Sequence, residues 1–311
     1  MNQNNVYLGL DISKKKLDLA GPEIKHHTFE NNPTGIAKLV KFLKASTPSA
    51  QLVLEPTGGY ERSVILALQE ASFTTCKVDP YQVRSFARSM GKVAKTDKLD
   101  ALILAQFGKD RHPRPLKPYD EDQENLRVMY DRRQQLICTQ IQESNRLETA
   151  IPAMREHLEK GLNFLREQIA EVEVMIDQCF QTHPEMKKKI DRMMSVQGVG
   201  LQTATAALVY MPELGELTNG QAAALVGLAP YNKDSGTYSG RRSTRGGRYQ
   251  VRRVLYMAAV CAARFNPILR TFYQRLLANG KKPKVALTAV MRKLILLLNL
   301  MLKNPDFSLA S

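Results

Sequence analysis

The stretch VYLGLDISKKKLDLA, residues 6–20, decides the fold of the amino-terminal part of the chain. Two apolar runs flank a lysine-rich segment, which predicts two strands joined by a tight turn, and residues 25–31 fit a third strand. Helical and strand patterns then alternate: helix 33–45, strand 51–54, helix 60–71, strand 73–78, and helices 81–90 and 98–107. Three strands followed by this alternation predict a mixed α/β domain.

Four carboxylates stand where these elements begin or end. Asp11 ends the first strand, Glu55 ends a later one in LVLEPTGGY, and Asp97 and Asp100 open a helix in KTDKLDALILA. If the two strands are neighbours, Asp11 and Glu55 emerge at one sheet edge, and the spacing of the two aspartates puts both on one helical face.

Such a group would repel itself unless hard cations such as Mg²⁺ compensate its charge. Two ions roughly 3.5–4 Å apart can activate a nucleophile and stabilise the leaving oxygen in phosphodiester cleavage. Lys14 and Lys95, beside these acids, are candidates for holding a phosphate. Taken singly, each acid is more typical of a surface position or a helix cap.

The middle of the chain is helical and nearly neutral. Pro113, Pro115 and Pro118 suggest a linker, residues 126–147 form a helical pattern, and Pro152 marks a break. A heptad seam follows, which predicts a coiled coil with a partner helix from the same chain or from a second subunit. Its positions are Leu158, Leu162, Leu165, Ile169, Val172, Ile176 and Cys179.

Charge is distributed unevenly along the 311 residues. With 45 Lys and Arg against 30 Asp and Glu, the net charge is +15, of which residues 1–110 carry +4, residues 111–190 carry −1 and residues 191–311 carry +12. A folded, arginine-rich basic region favours a nucleic acid partner over a merely solvated surface.

Other classes of protein are disfavoured. The four cysteines are scattered without a CxxC pair, and Arg292 and Lys293 interrupt the most apolar stretch, residues 285–302. No basic segment precedes an apolar run at the amino terminus. We therefore expect a soluble, basic protein of the cytoplasm.

The basic carboxyl-terminal region is predicted to be mainly helical and holds two further motifs. Gly198-Val199-Gly200 opens a helix, as in a helix-hairpin-helix phosphate contact, although a simple turn is commoner. Ser235-Gly236 and Ser239-Gly240 lie in a polar loop rich in arginine. The arginines predicted to bind nucleic acid are Arg241, Arg242, Arg245, Arg248, Arg252 and Arg253.

Together these motifs resemble a known family. LGLDISKKKLDLA, LEPTGGYE and KTDKLDALILA, followed by SVQGVGLQTA and LVGLAPYNKDSGTYSGRRSTRGGRYQVRRVLYMAA, are similar to the insertion-sequence transposases of the IS-one-ten family. These DEDD transposases are related to the Piv/MooV invertases and are also called bridge-RNA-guided recombinases. The resemblance spans almost the whole chain.

The resemblance implies three regions and a chemistry. Residues 1–112 would form a RuvC-like domain of ribonuclease H fold, 113–189 the helical coiled-coil region, and 190–311 an all-α transposase domain. It implies that Asp11, Glu55, Asp97 and Asp100 bind Mg²⁺, with two ions expected and Mn²⁺ an alternative. It also implies that Ser235, which follows Pro230 in the family's pattern, attacks DNA as a nucleophile, with Ser239 in reserve.

The resemblance also implies partners: donor and target DNA, a structured guide RNA, and further copies of the chain in a dimer or a dimer of dimers. Two other interpretations stay open. One is a RuvC-type endonuclease that cuts branched DNA without rejoining it. The other is a non-catalytic nucleic-acid-binding protein with a vestigial acidic site.

Overall fold

A computed structural model of the chain describes residues 6–22, 24–91, 96–118, 120–231, 234–235, 238–239 and 243–307. Two compact units are present, Met1–Asp120 and Glu121–Ser311. The proline-containing segment predicted as a linker belongs to the first unit. There the Leu116 N–H donates to the Thr75 carbonyl over 2.7 Å, and the Lys117 carbonyl accepts from Gln69 Nε2 over 3.0 Å.

The first unit is built on a mixed sheet. Its described strands are β1 (Tyr7–Ile12), β2 (Lys16–Gly21), β3 (Ile24–Glu30), β4 (Gln51–Leu54) and β5 (Thr74–Lys77), in the order β3-β2-β1-β4-β5. The first three strands are antiparallel, whereas β4 runs parallel to both β1 and β5. The predicted α/β character is confirmed, and assignment to the RuvC-like ribonuclease H fold stays a prediction.

Helices cover both faces of this sheet: α1 (Pro33–Ser46), α2 (Arg62–Glu70), α3 (Pro80–Ser89) and α4 (Asp97–Arg111). Leu8 and Leu10 of β1 face a core shared with α1 and α2, and Tyr7 faces a core shared with α3 and α4. This alternation follows from the two-residue period of a strand. Polar caps fix where α1 and α4 begin: Asn32 accepts from the Gly35 N–H over 2.8 Å, and Thr96 accepts from the Leu99 N–H over 3.3 Å.

Helix α4 lies unusually close to the central strand β1. An added Cβ on Gly9 would overlap the carbonyl oxygen of Ala101 and lie 2.7 Å from the Ala105 nitrogen, closer than real Cβ atoms approach. Gly108 makes the same approach from the helix side, where a Cβ would lie 2.7 Å from the Tyr7 ring. These two glycines let the helix backbone rest on the strand.

The second unit is helical apart from short strands. Its helices are α5 (Glu121–Glu148), α6 (Pro152–Thr182), α7 (Pro184–Met194), α8 (Leu201–Tyr210), α9 (Asn219–Leu225), α10 (Tyr249–Phe265), α11 (Pro267–Ala278) and α12 (Pro283–Lys303). The described part also contains the two-residue strands β6 (Pro230–Tyr231), β7 (Asp234–Ser235), β8 (Tyr238–Ser239) and β9 (Ser243–Thr244). Strand β6 pairs with β9, and β7 pairs with β8.

The predicted heptad seam lies on α6, which packs against α5 of the same chain. Arg133 of α5 forms an ion pair with Glu173 of α6 over 2.6 Å, and Asp122 pairs with His183 over 3.0 Å, so the two helices are antiparallel. Leu162 and Ile176 of the seam are buried. The pairing is within one chain, which was one of the two alternatives, and a coiled coil between subunits stays a prediction.

Helix α12 is the one described helix that is long and apolar enough to cross a bilayer by length and composition. Its apolar side packs in the core of the second unit, where Leu294 and Leu298 are fully buried. The buried amide of Asn299 donates to the Leu217 carbonyl and accepts from the Gly215 N–H, each over 2.8 Å. Such contacts are typical of a core helix.

We predict that Gly9→Ala destabilises the first unit by at least about 1–3 kcal/mol, because the added methyl group must push α4 away from β1. Chemical unfolding followed by circular dichroism measures this. Gly161→Ala, in the middle of α6 with open space around it, is the control and should raise stability slightly. Equal stability of Gly9→Ala and wild type would contradict the close approach.

Candidate active site

The strands bring the first two predicted acids to one edge of the sheet. In the parallel pair of β1 and β4, Leu10 lies beside Leu54, so Asp11 and Glu55 occupy the next position on each strand. Side chains of a strand alternate between the two faces of the sheet, so Asp11 lies on the same face as Tyr7 and Gly9 of β1. That is the face that α4 covers. Both acids are half-buried.

Helix α4 supplies the other two acids from its first turn. Thr96 is the N-cap, and Asp97 and Asp100 follow three residues apart, the first exposed and the second half-buried. Carboxylates are stabilised at this end of a helix by its unpaired N–H groups and its dipole. The contact of α4 with Gly9 therefore carries both aspartates to β1.

All four carboxylates line one cavity of about 250 Å³. Val83, Ile103 and Leu104 form part of its apolar wall. The four acids, which the strand ends and the helix spacing predicted to lie near one another, therefore line the same cavity.

The donor atoms of this cavity suit a hard divalent cation. Asp11, Glu55, Asp97 and Asp100 offer only carboxylate oxygens, the ligands that Mg²⁺ and Mn²⁺ prefer. Across the described residues, however, no three His, Cys, Asp or Glu side chains are close enough together to form a ready-made metal site. The four acids thus line one cavity without forming a preformed metal site.

Sequence reasoning missed Arg84, which lines the same cavity from α3. A guanidinium among four carboxylates offsets part of their repulsion, and it is well shaped to bind phosphate oxygens. Nothing in the local pattern distinguishes Arg84 from Arg88 on the same helix. Only the packing of α3 beside α4 identifies it.

A fifth acid, Asp18, lies next to the site on β2 and was also missed. Asp18 is the cross-strand partner of Asp11, so both side chains point to the same face of the sheet. It is buried and accepts hydrogen bonds from Thr28 Oγ1 over 2.6 Å and from His26 Nε2 over 2.8 Å. His26 is thus paired with this buried carboxylate.

The loop that follows Glu55 is held by Glu61. The Glu61 carboxylate accepts hydrogen bonds from the Gly59 N–H over 2.9 Å, the Thr57 N–H over 3.2 Å and the Thr57 hydroxyl over 3.0 Å. Burial opposes ionisation of Glu61, but these bonds and one from its own N–H prevail and lower its pKa to about 2. Lys77 lies 3.6 Å from it. Glu61 is thus a positioning residue for the loop that carries Glu55.

Comparison with known families and proteins gives concordant results. Residues 8–155 match the DEDD domain of IS110 type described as "Transposase", and residues 190–274 match "Transposase IS116/IS110/IS902 family". The "Pilin gene-inverting protein" of Moraxella bovis is 26% identical over 303 residues, covering 94% of each chain. An "Insertion element IS110 uncharacterized 43.6 kDa protein" of Streptomyces coelicolor is 32% identical over 152 residues, covering 48% of this chain and 36% of that protein.

This chain belongs to the IS110 family of transposases. The two matched domains together span about three quarters of its residues. The four cavity acids all fall within the DEDD match, and the serine loop falls within the second match.

In this IS110-family transposase the serine loop is described only in part. Ser235 pairs with Tyr238, and Asp234 pairs with Ser239, in the two-strand ladder of β7 and β8. Arg241, Arg242 and Lys95 lie outside the described residues. The assignment of Ser235 or Ser239 as the nucleophile stays a prediction.

The remaining arginines predicted to bind nucleic acid have different surroundings. Arg248 makes a bidentate pair with Glu213, at 2.9 and 2.5 Å, and donates to the Tyr210 carbonyl over 2.7 Å. Two others donate within the chain, Arg252 to the Val226 and Gly246 carbonyls and Arg253 to Gln134 Oε1. These three guanidinium groups therefore connect elements of the second unit. Arg253, Arg245 and Lys14 are exposed.

The glycine turn before α8 packs tightly. Gly198 has φ +100°, and a Cβ there would lie 2.7 Å from the Ala262 side chain. Beside the first turn of α8, the carboxylates of Glu173 and Asp177 line a cavity of about 160 Å³ together with Gln202. Because Glu173 is already paired with Arg133, these acids do not decide the phosphate contact expected from the sequence, which stays a prediction; tight packing accounts for Gly198.

We predict that Glu61→Gln lowers the free energy of unfolding at pH 7 by about 1–3 kcal/mol. The pKa of Glu61 is lowered from 4.5 to about 2, so its contribution is present above pH 4.5 and is lost as the pH falls toward 2. The difference between wild type and variant should shrink over that interval in urea unfolding. Glu70→Gln, an exposed glutamate on α2, should show little effect; a pH-independent difference for Glu61→Gln would refute the assignment.

Proposed function

We propose that this chain is a DNA transposase and recombinase that excises and inserts its insertion sequence by Mg²⁺-dependent strand cleavage and rejoining. The observation that carries the proposal is the single cavity lined by Asp11, Glu55, Asp97 and Asp100. Membership of the transposase family supports it, and so does similarity to a protein named for inverting pilin genes.

The cavity acids are proposed to bind the divalent ions. Bound Mg²⁺ would supply electrophilic stabilisation of the charge that develops on phosphate oxygens. The four carboxylates repel one another while no ion is bound. Ion binding would therefore be coupled to a movement that brings the four side chains together. Arg84 is proposed to hold a non-bridging oxygen of the scissile phosphate, which orients the phosphorus for attack.

The cleaving step is proposed to use Ser235. Its Oγ attacks the scissile phosphorus, so an Oγ–P bond forms while the bond from phosphorus to one DNA oxygen breaks. The serine proton passes to a carboxylate base, and the departing DNA oxygen leaves as a hydroxyl after protonation. A DNA hydroxyl then attacks the phosphoserine, restores the phosphodiester and releases Ser235, so no external energy source is needed.

The partners belong to the same proposal. A net charge of +12 on residues 191–311 suits DNA, and Arg245 is an exposed candidate for phosphate contact. A structured guide RNA, assembly into a homo-oligomer and residence at the nucleoid are inferred from the family resemblance. In an oligomer, Ser235 and the acidic cavity could come from different subunits.

We predict that Asp97→Asn reduces DNA strand cleavage by about 100-fold or more and leaves DNA affinity within a factor of about two, because one metal ligand is lost while the basic surfaces are intact. Calorimetric titration with Mg²⁺ or Mn²⁺ should show weakened binding. Asp110→Asn removes the same charge from the other end of α4 and serves as the control. Full cleavage activity of the Asp97→Asn variant would contradict the assignment of Asp97 as a metal ligand.

We predict that Ser235→Ala abolishes the covalent protein–DNA adduct and strand cleavage while DNA binding is retained. The adduct is detected as a protein band that carries labelled DNA through denaturing electrophoresis. Ser239→Ala is the matched control and should still form it. Loss in Ser239→Ala alone would move the nucleophile to that residue, and cleavage without any adduct would favour the endonuclease interpretation.

A further inference from the structure

The last three helices of the chain form an unusually one-sided surface. Between residues 249 and 303 the sequence has 11 Lys and Arg residues and no Asp or Glu. Within these helices no basic side chain can find an acidic partner on its own or an adjacent helix of the group. Two of them, Arg264 and Arg270, are exposed and form no ion pair within the described part of the chain.

At the corner between α10 and α11 this basic surface exposes an aromatic ring. Phe265, the last residue of α10, is 71% exposed. It lines an open groove of about 580 Å³ together with Ala263, Arg264, Arg270, Tyr273 and Leu277. Aromatic and aliphatic side chains and two guanidinium groups therefore line the same groove.

The exposure of Phe265 is imposed by an ordered corner. The next residue, Asn266, is buried and caps α11 by accepting from the Leu269 N–H over 3.1 Å. Its own N–H donates to the Ala262 carbonyl over 3.0 Å, and its side-chain amide donates to the Gln197 carbonyl over 3.4 Å. With Asn266 fixed on three sides, the ring beside it is held at the surface.

A comparison with Phe272 in α11 shows what Phe265 lacks. The Phe272 ring is half-buried, with Lys293 4.2 Å and Arg275 5.6 Å from its centroid. No ring or cation partner accompanies Phe265 among the described residues. Phe272 thus has cation partners within the chain, whereas the ring of Phe265 faces solvent.

We propose that this groove binds unpaired bases of single-stranded DNA, with one base stacked on Phe265 and the flanking phosphates held by Arg264 and Arg270. Exposed aromatic rings in a basic groove are the usual means of binding single strands, because every base has a flat face to stack. The surface disfavours pairing with the same surface of a second copy, since the like charges would repel. The site is built from residues of the second unit, whereas the acidic cavity is built from residues of the first, and it goes beyond the proposed cleavage chemistry.

The test is equilibrium binding of full-length protein to a labelled 20-nucleotide strand, its DNA duplex and the RNA strand of the same sequence. Phe265→Ala should weaken binding of the DNA strand about tenfold and change duplex binding less than about twofold. Phe265→Tyr should restore binding because a tyrosine ring also stacks. Phe164→Ala, which removes a ring 60% exposed on α6, is the matched control and should bind like wild type.

Salt dependence tests the two arginines. Arg264→Ala and Arg270→Ala should each reduce the slope of log K against log salt by about 0.7 for the single strand, as expected for one lost phosphate contact. Unchanged slopes would show that these arginines do not hold the strand.

Three results would overturn the proposal: unchanged single-strand affinity in Phe265→Ala, an equal loss for the duplex, or a change of oligomeric state in that variant. A loss confined to the RNA strand would overturn the choice of DNA. The Asp97→Asn variant separates this site from the proposed catalysis, because it should keep the binding that depends on Phe265 even where cleavage is lost.

Discussion

At Gly9, strand β1 touches helix α4 so closely that only a residue without a side chain fits. The first turn of α4 holds Asp97 and Asp100, and β1 holds Asp11 two residues beyond the contact. The distance between the strand and the helix therefore sets the width of the acidic cavity. A larger residue at position 9 would separate the acids before it affected any of them directly.

The carboxylates that line the cavity repel one another, and neighbouring residues reduce that repulsion. Four carboxylates share about 250 Å³ with one guanidinium, Arg84. Asp18, a fifth acid on the same face, is engaged by His26 and Thr28. Glu61, a sixth acid nearby in sequence, is satisfied by Thr57 and Gly59 in the loop. Asp18 and Glu61 thus have hydrogen-bond partners within the chain, and the four acids that line the cavity are the ones proposed to bind ions.

The sequence allowed prediction of features that depend on local order. Strand β4 was expected at residues 51–54 and is Gln51–Leu54, and the helix expected at 98–107 is Asp97–Arg111. The meeting of Asp11 and Glu55 was predictable because neighbouring parallel strands bring their ends to one edge.

Contacts between residues far apart in the chain were not predictable. Arg84 enters the cavity through the packing of α3, and Arg248 pairs with Glu213, 35 residues away. No periodicity marks either residue. Likewise, the sequence pattern of α6 could not say whether its partner helix belonged to the same chain, because a heptad seam specifies an apolar face and not its occupant.

The hydrogen bonds that several arginines form within the chain change how the basic charge should be interpreted. Arg248, Arg252 and Arg253 were expected on DNA because they follow the serine loop, yet each donates hydrogen bonds within the second unit. A guanidinium in a bidentate ion pair has fewer N–H groups left for phosphate, and the carboxylate neutralises its charge, which costs binding free energy. Exposed arginines without an ion pair, such as Arg264 and Arg270, bear no such cost. Net charge therefore indicates that the chain binds a polyanion. The hydrogen bonds of each arginine within the chain indicate which surface is available to bind it.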